Sequence, residues 1–216
     1  MSPRRPPKIA SRKEPKQARS TGLVAAILQA ATQVLTKEGA ARFTTARVAE
    51  KAGVSIGSVY QYFPNKAAIL FRLQSDEWQQ TANMLREILE SDDAPAPERL
   101  HALVHAFIRS ECEEAEMRVA LNDAAPLYRD APEAREARAA GEAIFAKFMR
   151  EMLPAASEET RALAGNVLTT TLSTVGKEFS STPAPIEMTR YADALSQMFR
   201  AYIDQLNQRD QRDRRE

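Results

Sequence analysis

The sequence is poor in the residue types that most enzyme active sites depend on. Its 216 residues include one cysteine and two histidines. A single cysteine excludes a disulfide within the chain and a thiolate cage for a metal, and it suits a reducing compartment. We find no Ser-His-Asp order, no glycine-rich phosphate loop and no carboxylate pair, so we expect neither an enzyme nor a cofactor.

Glycine and long apolar runs are also scarce. Seven glycines in a chain rich in alanine favour helices over sheets. No segment approaches the roughly 20 apolar residues that a membrane-spanning helix needs, and the first residues lack the apolar core of a signal peptide. Because 44% of the residues are hydrophobic, the chain can still bury a core. We therefore expect a soluble, cytoplasmic, all-α protein with no membrane partner.

What the chain does contain is a marked separation of charge. The net charge is only +1, but residues 1–66 hold 12 Lys/Arg against three acidic residues. The remaining residues hold 18 Lys/Arg against 26 acidic residues. A basic first third on an acidic body predicts that one end of the molecule binds a polyanion.

Hydrophobic periodicity and helix-ending residues predict about nine helices. Residues 1–16 are rich in Pro, Lys and Arg and too polar to fold alone, so they are expected to form a flexible arm. The first helix runs from near Ala18 to Gly39, which ends it. The other helices are expected at 45–52, 55–63, 66–90, 97–113, 115–124, 132–152, 157–180 and 186–207, followed by a charged tail at 208–216.

The two short helices at Thr45–Ala52 and Ser55–Phe63 form a helix-turn-helix pattern, because a tight turn containing Gly53 joins them. Val54 and Val59 are expected to face inward. The second helix would present polar and apolar groups to base edges in a major groove, namely Ser55, Ile56, Gly57, Ser58, Tyr60, Gln61 and Tyr62. Since that helix has no charge, phosphate neutralisation falls to its neighbours, namely Arg42, Arg47, Lys51, Lys66 and the arm.

The run FTTARVAEKAGVSIGSVYQYFPNKAAIL, residues 43–70, resembles the DNA-binding segment of the tetracycline-repressor (TetR) family, and the resemblance extends over about residues 17–70. It implies that Thr45, and with it Thr44, Tyr60 and Lys66 contact phosphate. It also implies that the side chains contacting bases are those of Ile56, Gly57, Ser58, Gln61 and Tyr62.

The resemblance further implies a division into a three-helix DNA-binding domain at 17–66 and an effector-binding and dimerisation domain at 67–207. The last two helices of each subunit would form a four-helix interface, in agreement with their broad apolar stripes. The residues expected there are Leu168, Thr171, Leu172, Val175, Leu195, Met198, Phe199 and Tyr202. Candidate effector-pocket residues, mixed apolar and polar, are Trp78, His105, Phe107, Cys112, Met117, Asn122, Phe145 and Met149.

The function expected from this organisation is that of a homodimeric repressor of transcription. It would bind a palindromic operator in double-stranded DNA, and an apolar or aromatic small molecule would release it. One alternative is an activator, or a regulator without ligand control. Another is a helical binding module or small enzyme in which the helix-turn-helix serves only as scaffold.

His101, His105 and Cys112 share one face of a predicted helix. Two histidines four residues apart can bind a metal. The sequence offers no evident third or fourth ligand, however, so we expect these side chains to line a helix interior or a cavity, and we predict no metal. A redox switch at Cys112 would need a partner thiol across a dimer.

Overall fold

The computed structural model describes residues 8–12, 18–181 and 188–213, and within those ranges the chain is helical with no β-strand. The helices are α1 (Ala18–Arg42), α2 (Thr45–Ala52), α3 (Ile56–Tyr62), α4 (Lys66–Leu89), α5 (Ala96–Glu113), α6 (Ala115–Ala124), α7 (Pro132–Met152), α8 (Glu158–Ser181) and α9 (Met188–Asp213). A short 3-10 turn at Ala125–Leu127 follows α6. The prediction of an all-α fold is confirmed.

Helix ends follow local sequence closely. The φ of Gly39 is +74°, which interrupts α1 where the sequence predicted its end. Most boundaries fall within three residues of the predicted ones, and the largest difference is that α9 continues through Asp213, beyond the end predicted near residue 207. The sequence there consists of Arg, Asp and Gln, whose helix propensities allow the helix to continue. None of the described helices has the length and hydropathy of a membrane span.

The chain folds as two compact units. Unit 1 comprises the described residues up to Gln79 together with Glu116–Arg138, and unit 2 comprises Gln80–Ala115 and the described residues from Ala139 onward. The core of unit 1 combines the apolar stripes of α1 to α3 with the first half of α4 and with α6. Its largest fully buried side chains are Ile9, Ile27, Leu35, Phe43, Phe63, Ile69, Leu70 and Leu121.

Unit 2 is built around α5, which packs against both α8 and α9. Leu103, Val104 and Ile108 of α5 are fully buried in its core. Gly176 brings α8 close to α5, because a Cβ at this position would lie 2.6 Å from Glu111 Cγ and 2.9 Å from Phe107 Cε1. The absence of a side chain at this position therefore sets the distance between the two helices.

Candidate nucleic-acid interface

The turn between α2 and α3 is fixed by caps on both sides. The Thr44 hydroxyl caps α2 by accepting a hydrogen bond from the Arg47 amide at 3.2 Å. Gly53 ends α2 in the left-handed conformation, with φ 67° and ψ 30°. Ser55 then caps α3, since its Oγ accepts from the Ser58 amide at 3.0 Å. Because every end has a partner, the two helices have a defined relative orientation.

The inner side of the helix pair is apolar and buried, as predicted. Val48 and Ala49 of α2 and Val59 of α3 lie in the core of unit 1, and Phe63 is buried just after α3. Val54 in the turn is half-buried and packs against the same core. The side of α3 opposite Val59 is therefore the side left to meet another molecule.

The outer side of α3 is exposed and uncharged. Ile56 and Tyr60 are 45% and 40% exposed. Gly57 and Gln61 are also exposed. The hydroxyls of Ser55 and Ser58 lie 2.8 Å apart and hydrogen-bond to each other. This surface offers an amide, two hydroxyl-bearing side chains, a phenol and an aliphatic group.

Tyr62 does not belong to this surface. Its side chain is only 7% exposed and lies in the core of unit 1, contrary to its expected place among the base-contacting residues. The helical period explains the difference, because residue 62 follows Val59 by three positions and so shares its inward face. Thr45 is equally buried, whereas Thr44 is exposed.

Cationic side chains flank the exposed face of α3. Lys66 is the first residue of α4 and is partly exposed. Asn65 caps the same helix, since its Oδ1 accepts from the Ala68 amide at 2.9 Å. Arg47 forms an ion pair with Glu38, and Arg42 lies 3.9 Å from the same carboxylate. Glu38 thus offsets part of the positive charge at Arg47, while none of the described carboxylates forms an ion pair with Lys66.

Part of the basic N-terminal segment is held against the end of α3. Ile9 is 2% exposed and belongs to the core of unit 1. The Arg12 amide donates to the Tyr62 carbonyl at 2.8 Å, its guanidinium donates to the Tyr60 carbonyl at 3.3 Å, and Asn65 Nδ2 donates to the Lys8 carbonyl at 2.9 Å.

The sequence predicted a flexible arm over all of residues 1–16. Ile9 could have predicted the contact of this segment with the core, since it is an apolar residue within a basic and proline-rich stretch. Lys8 and Arg12 themselves are exposed beside the outer face of α3. The rest of the arm, residues 1–7 and 13–16, lies outside the described residues.

The candidate effector residues are divided between the two units. Trp78, Met117 and Asn122 belong to unit 1, whereas His105, Phe107, Cys112, Phe145 and Met149 belong to unit 2. Asn122 is exposed. Phe145 and Met149 are buried core residues of unit 2, and both pack against Gly165 of α8. Phe107 packs on the same core and faces Gly176.

Unit 2 also contains a pocket of about 210 Å³ that sequence analysis did not foresee. Its lining includes Arg99, Lys147, Glu90 and Glu151, so it is strongly charged. Arg99 is nearly buried, donates to the Leu89 and Ala94 carbonyls and pairs with Glu151. The volume is below the range of about 300–1,000 Å³ usual for drug-sized ligands. None of the candidate effector residues lines this pocket.

Half of the residues predicted for a dimer interface lie inside the subunit. Leu168, Leu172, Leu195 and Phe199 are buried in the core of unit 2, so they are not available to a partner. The helical stripes on α8 and α9 were correctly recognised as apolar, but these side chains cover the subunit's own core. Thr171 is half-buried, and Val175 and Tyr202 pack at the edge of that core.

Apart from Met198, the large exposed apolar side chains of α8 and α9 were not among the predicted interface residues. They are Leu163 and Val167 on α8 and Tyr191 and Met198 on α9, each at least 41% exposed. Of the predicted interface residues, Met198 is the one with an exposed side chain. Exposed apolar side chains of this size are available for contact with another protein chain.

His101 and His105 do not point into an apolar interior. Asp193 of α9 lies beside both, so the structure supplies a third candidate ligand that sequence analysis did not find. Cys112 is half-buried. Burial raises the pKa of its thiol, and the nearby Glu111 and Glu113 carboxylates raise it further. Such a thiol is a weak nucleophile near neutral pH, which is unfavourable for a redox switch.

Two family models match this chain. Residues 27–73 match the model for bacterial regulatory proteins of the tetR family. Residues 95–206 match the model for the tetracyclin repressor-like C-terminal domain, and this second match alone spans more than half of the chain. The first match contains the capped helix pair, and the second contains α5 to α8 and most of α9.

Curated relatives match over a shorter segment. The chain is 35% identical over 83 residues to the nucleoid occlusion factor SlmA of Vibrio campbellii, covering 38% of this chain and 42% of SlmA. It is 40% identical over 73 residues to the HTH-type transcriptional regulator TtgR of Pseudomonas putida, covering 34% of each protein. The chain thus spans well under half the length of these relatives.

The fold itself is shared over nearly the whole length of solved structures. The transcriptional regulator FadR of Bacillus subtilis, solved in complex with stearoyl-CoA, superposes with a TM-score of 0.63 at 17% identity. The match covers 82% of this chain and 97% of FadR. At that identity the comparison establishes a common fold.

Proposed function

The chain belongs to the TetR family of bacterial regulatory proteins, and from this premise we propose that it is a dimeric repressor that a small-molecule effector releases from a palindromic operator. Membership makes it a DNA-binding regulator of transcription and not an enzyme. The dimer, the palindrome and the effector are the proposal. It would act in the bacterial cytoplasm, where chromosomal DNA lies.

The observation that carries the proposal is the exposed, uncharged face of α3 in a helix pair with capped ends. Ile56, Gly57 and Gln61 are the side chains proposed to contact base edges in the major groove. Thr44, Tyr60 and Lys66 border that face and are proposed to contact phosphates. Burial of Tyr62 and Thr45 removes them from the proposed contacts.

A dimer is needed because one seven-residue helix without charge gives little specificity. Two such helices, about 34–36 Å apart, would contact successive major grooves and so require a palindromic site. The exposed apolar residues Leu163, Val167, Tyr191 and Met198 are proposed as the centre of the interface between subunits.

The effector is proposed to bind in unit 2. Phe107, Phe145 and Met149 supply the aromatic and thioether surface that suits an apolar or aromatic molecule. The stearoyl-CoA complex of FadR supports this, since a protein of the same fold binds a small molecule with a long apolar chain. An effector lowers DNA affinity only by its preference for the conformation that does not bind the operator.

Two substitutions test the proposed contacts on a duplex selected from random DNA. Lys66→Ala should weaken binding to that duplex and to unrelated DNA alike, and lower the slope of log K against log salt concentration by about one unit. Gln61→Ala should change the preferred base at one position of each half-site, by about 1–3 kcal/mol. Both effects are measured by fluorescence anisotropy at several salt concentrations.

Lys177→Ala on α8 and Gln29→Ala on α1 are matched controls with exposed side chains. Both should bind DNA as the wild type does. If Lys66→Ala and Gln61→Ala behave like these controls, the helix-turn-helix is only a scaffold and the proposed DNA contacts are wrong.

A further inference from the structure

Three side chains with metal-binding groups meet where α5 packs on α9. His101 and His105 are one helical turn apart on α5, and their ring centroids are 4.3 Å apart. Asp193 lies on α9. Its Oδ1 is 2.9 Å from His105 Nε2 and 3.4 Å from His101 Nε2. One donor atom from each of the three residues lies within 4.8 Å of the other two.

These distances suit donors that share one ion. Zinc bonds to nitrogen and oxygen are about 2.0–2.2 Å, so two donors on a tetrahedral ion are about 3.4 Å apart. The 3.4 Å contact of Asp193 with His101 matches that separation, and the 2.9 Å contact with His105 is about 0.5 Å shorter. A hydrogen bond between His105 and Asp193 is the alternative explanation of the shorter distance.

The helices that carry the three residues are held by the core of unit 2. Leu103 and Val104, between the two histidines, are fully buried, and Ala192, next to Asp193, is 1% exposed. His105 is mostly buried, whereas His101 and Asp193 remain accessible, with side-chain exposures of 56% and 44%. The backbone is therefore fixed on both sides, and an ion can still enter from solvent.

We propose that His101, His105 and Asp193 form a binding site for a late first-row divalent transition metal ion, with Zn²⁺, Co²⁺ and Ni²⁺ as the expected class. Two imidazole nitrogens and one carboxylate favour these ions over Mg²⁺ and Ca²⁺, which prefer oxygen ligands. Water molecules would complete the coordination. Such an ion ties α5 to α9, and the site is independent of the proposed effector and operator.

The test uses the full chain without a histidine tag, treated with a chelator and then titrated with Co²⁺. Calorimetry and the visible absorption of bound Co²⁺ report stoichiometry and affinity, and we expect one ion per chain, displaced by Zn²⁺ and not by Mg²⁺. His101→Ala and Asp193→Asn each remove a direct ligand and should weaken binding at least about tenfold. Both side chains are well exposed, so both variants should fold, which circular dichroism checks.

Two controls assign the site. Asp204→Asn makes the same change at another exposed carboxylate of α9, and Cys112→Ser removes the thiol of α5. Both should bind Co²⁺ as the wild type does. The wild-type melting temperature should rise with added Zn²⁺, and that of Asp193→Asn should not.

Absence of Co²⁺ binding to the wild type would overturn the proposal and leave His105 and Asp193 as an ordinary hydrogen-bonded pair. Binding that survives both His101→Ala and Asp193→Asn, or that disappears in Cys112→Ser, would also overturn it, because the ion would then lie elsewhere.

Discussion

Gln61 and Tyr62 are neighbours on the same short helix, yet only Gln61 is free to meet DNA. The amide of Gln61 is exposed, while the ring of Tyr62 is part of the core. An amide can donate and accept together at the edge of one base, which is why Gln61 is proposed to contribute to sequence preference. Tyr62 instead holds the N-terminal segment through its backbone, because its carbonyl accepts a hydrogen bond from the Arg12 amide.

Tyr128 shows how a single hydroxyl stabilises unit 1. It is 3% exposed, and its O–H lies 3.1 Å from two acceptors, Gln74 Oε1 and the Leu121 carbonyl. Burial raises the pKa of this phenol well above its usual range, and the charge of Glu77 adds to the rise. The hydroxyl therefore stays protonated and keeps donating at any physiological pH.

Tyr128→Phe should lower the free energy of unfolding by about 1–2 kcal/mol, because it removes the donor and leaves buried acceptors unpaired. Urea denaturation at pH 7 in the absence of DNA measures this, with Tyr60→Phe on α3 as the exposed control. The sign of the pH effect follows from the raised pKa. An unfolded tyrosine ionises near pH 10. The contribution of the Tyr128 hydroxyl to the free energy of unfolding is therefore present below about pH 10 and is lost as the pH rises above it. The Tyr128→Phe variant should lack this pH dependence. Equal stabilities of the two variants would contradict the described hydrogen bonds.

At the scale of elements, the contact of α8 with α5 depends on Gly176. Gly176→Ala places a methyl group against Glu111 and Phe107, two residues one turn apart on α5. Overpacking of this kind costs about 1–3 kcal/mol. The better helix propensity of alanine returns about 1 kcal/mol, so we expect a net loss of stability and a lower melting temperature.

Gly22→Ala is the matched control, since Gly22 is also helical and a Cβ there meets nothing within 4 Å. It should raise stability by about 0.5–1 kcal/mol. If both glycine variants stabilise the protein to the same extent, α8 and α5 do not approach as closely as described.

Elements could be predicted from sequence where their ends have local signals. Thr44, Gly53, Ser55 and Asn65 lie within a few residues of the groups they cap, so the bounds of α2 to α4 follow from the chain itself. The contact between His105 and Asp193 joins residues 88 apart, and no local pattern predicts it. An apolar stripe predicts burial, but it does not say whether the cover is the same chain, as at Phe199, or a second one.

At the scale of the whole molecule, the proposed function requires a dimer, and α8 and α9 are proposed to form its interface. Met198→Glu places a charge on the most exposed apolar side chain of α9 and should shift the protein toward monomer in sedimentation velocity. Operator affinity should fall as the dimer dissociates, because a monomer has one α3 helix and can contact only one half-site. Val119→Glu makes the corresponding change at an exposed apolar residue of α6 and should leave the dimer intact. If the dimer survives Met198→Glu and dissociates in Val119→Glu, the interface is formed by α6 and the proposed interface is wrong.

The most direct test of the central claim is selection of bound duplexes from a random pool by the full chain, followed by sequencing. The account predicts an inverted repeat whose half-site centres lie about one helical turn of DNA apart, or a small multiple of it, because two α3 helices of a dimer enter successive major grooves. The selected duplex should also be bound at least about 10³-fold more tightly than unrelated DNA at physiological salt. A pool that yields no consensus, with only weak and salt-sensitive binding, would contradict the claim that this chain is a sequence-specific repressor.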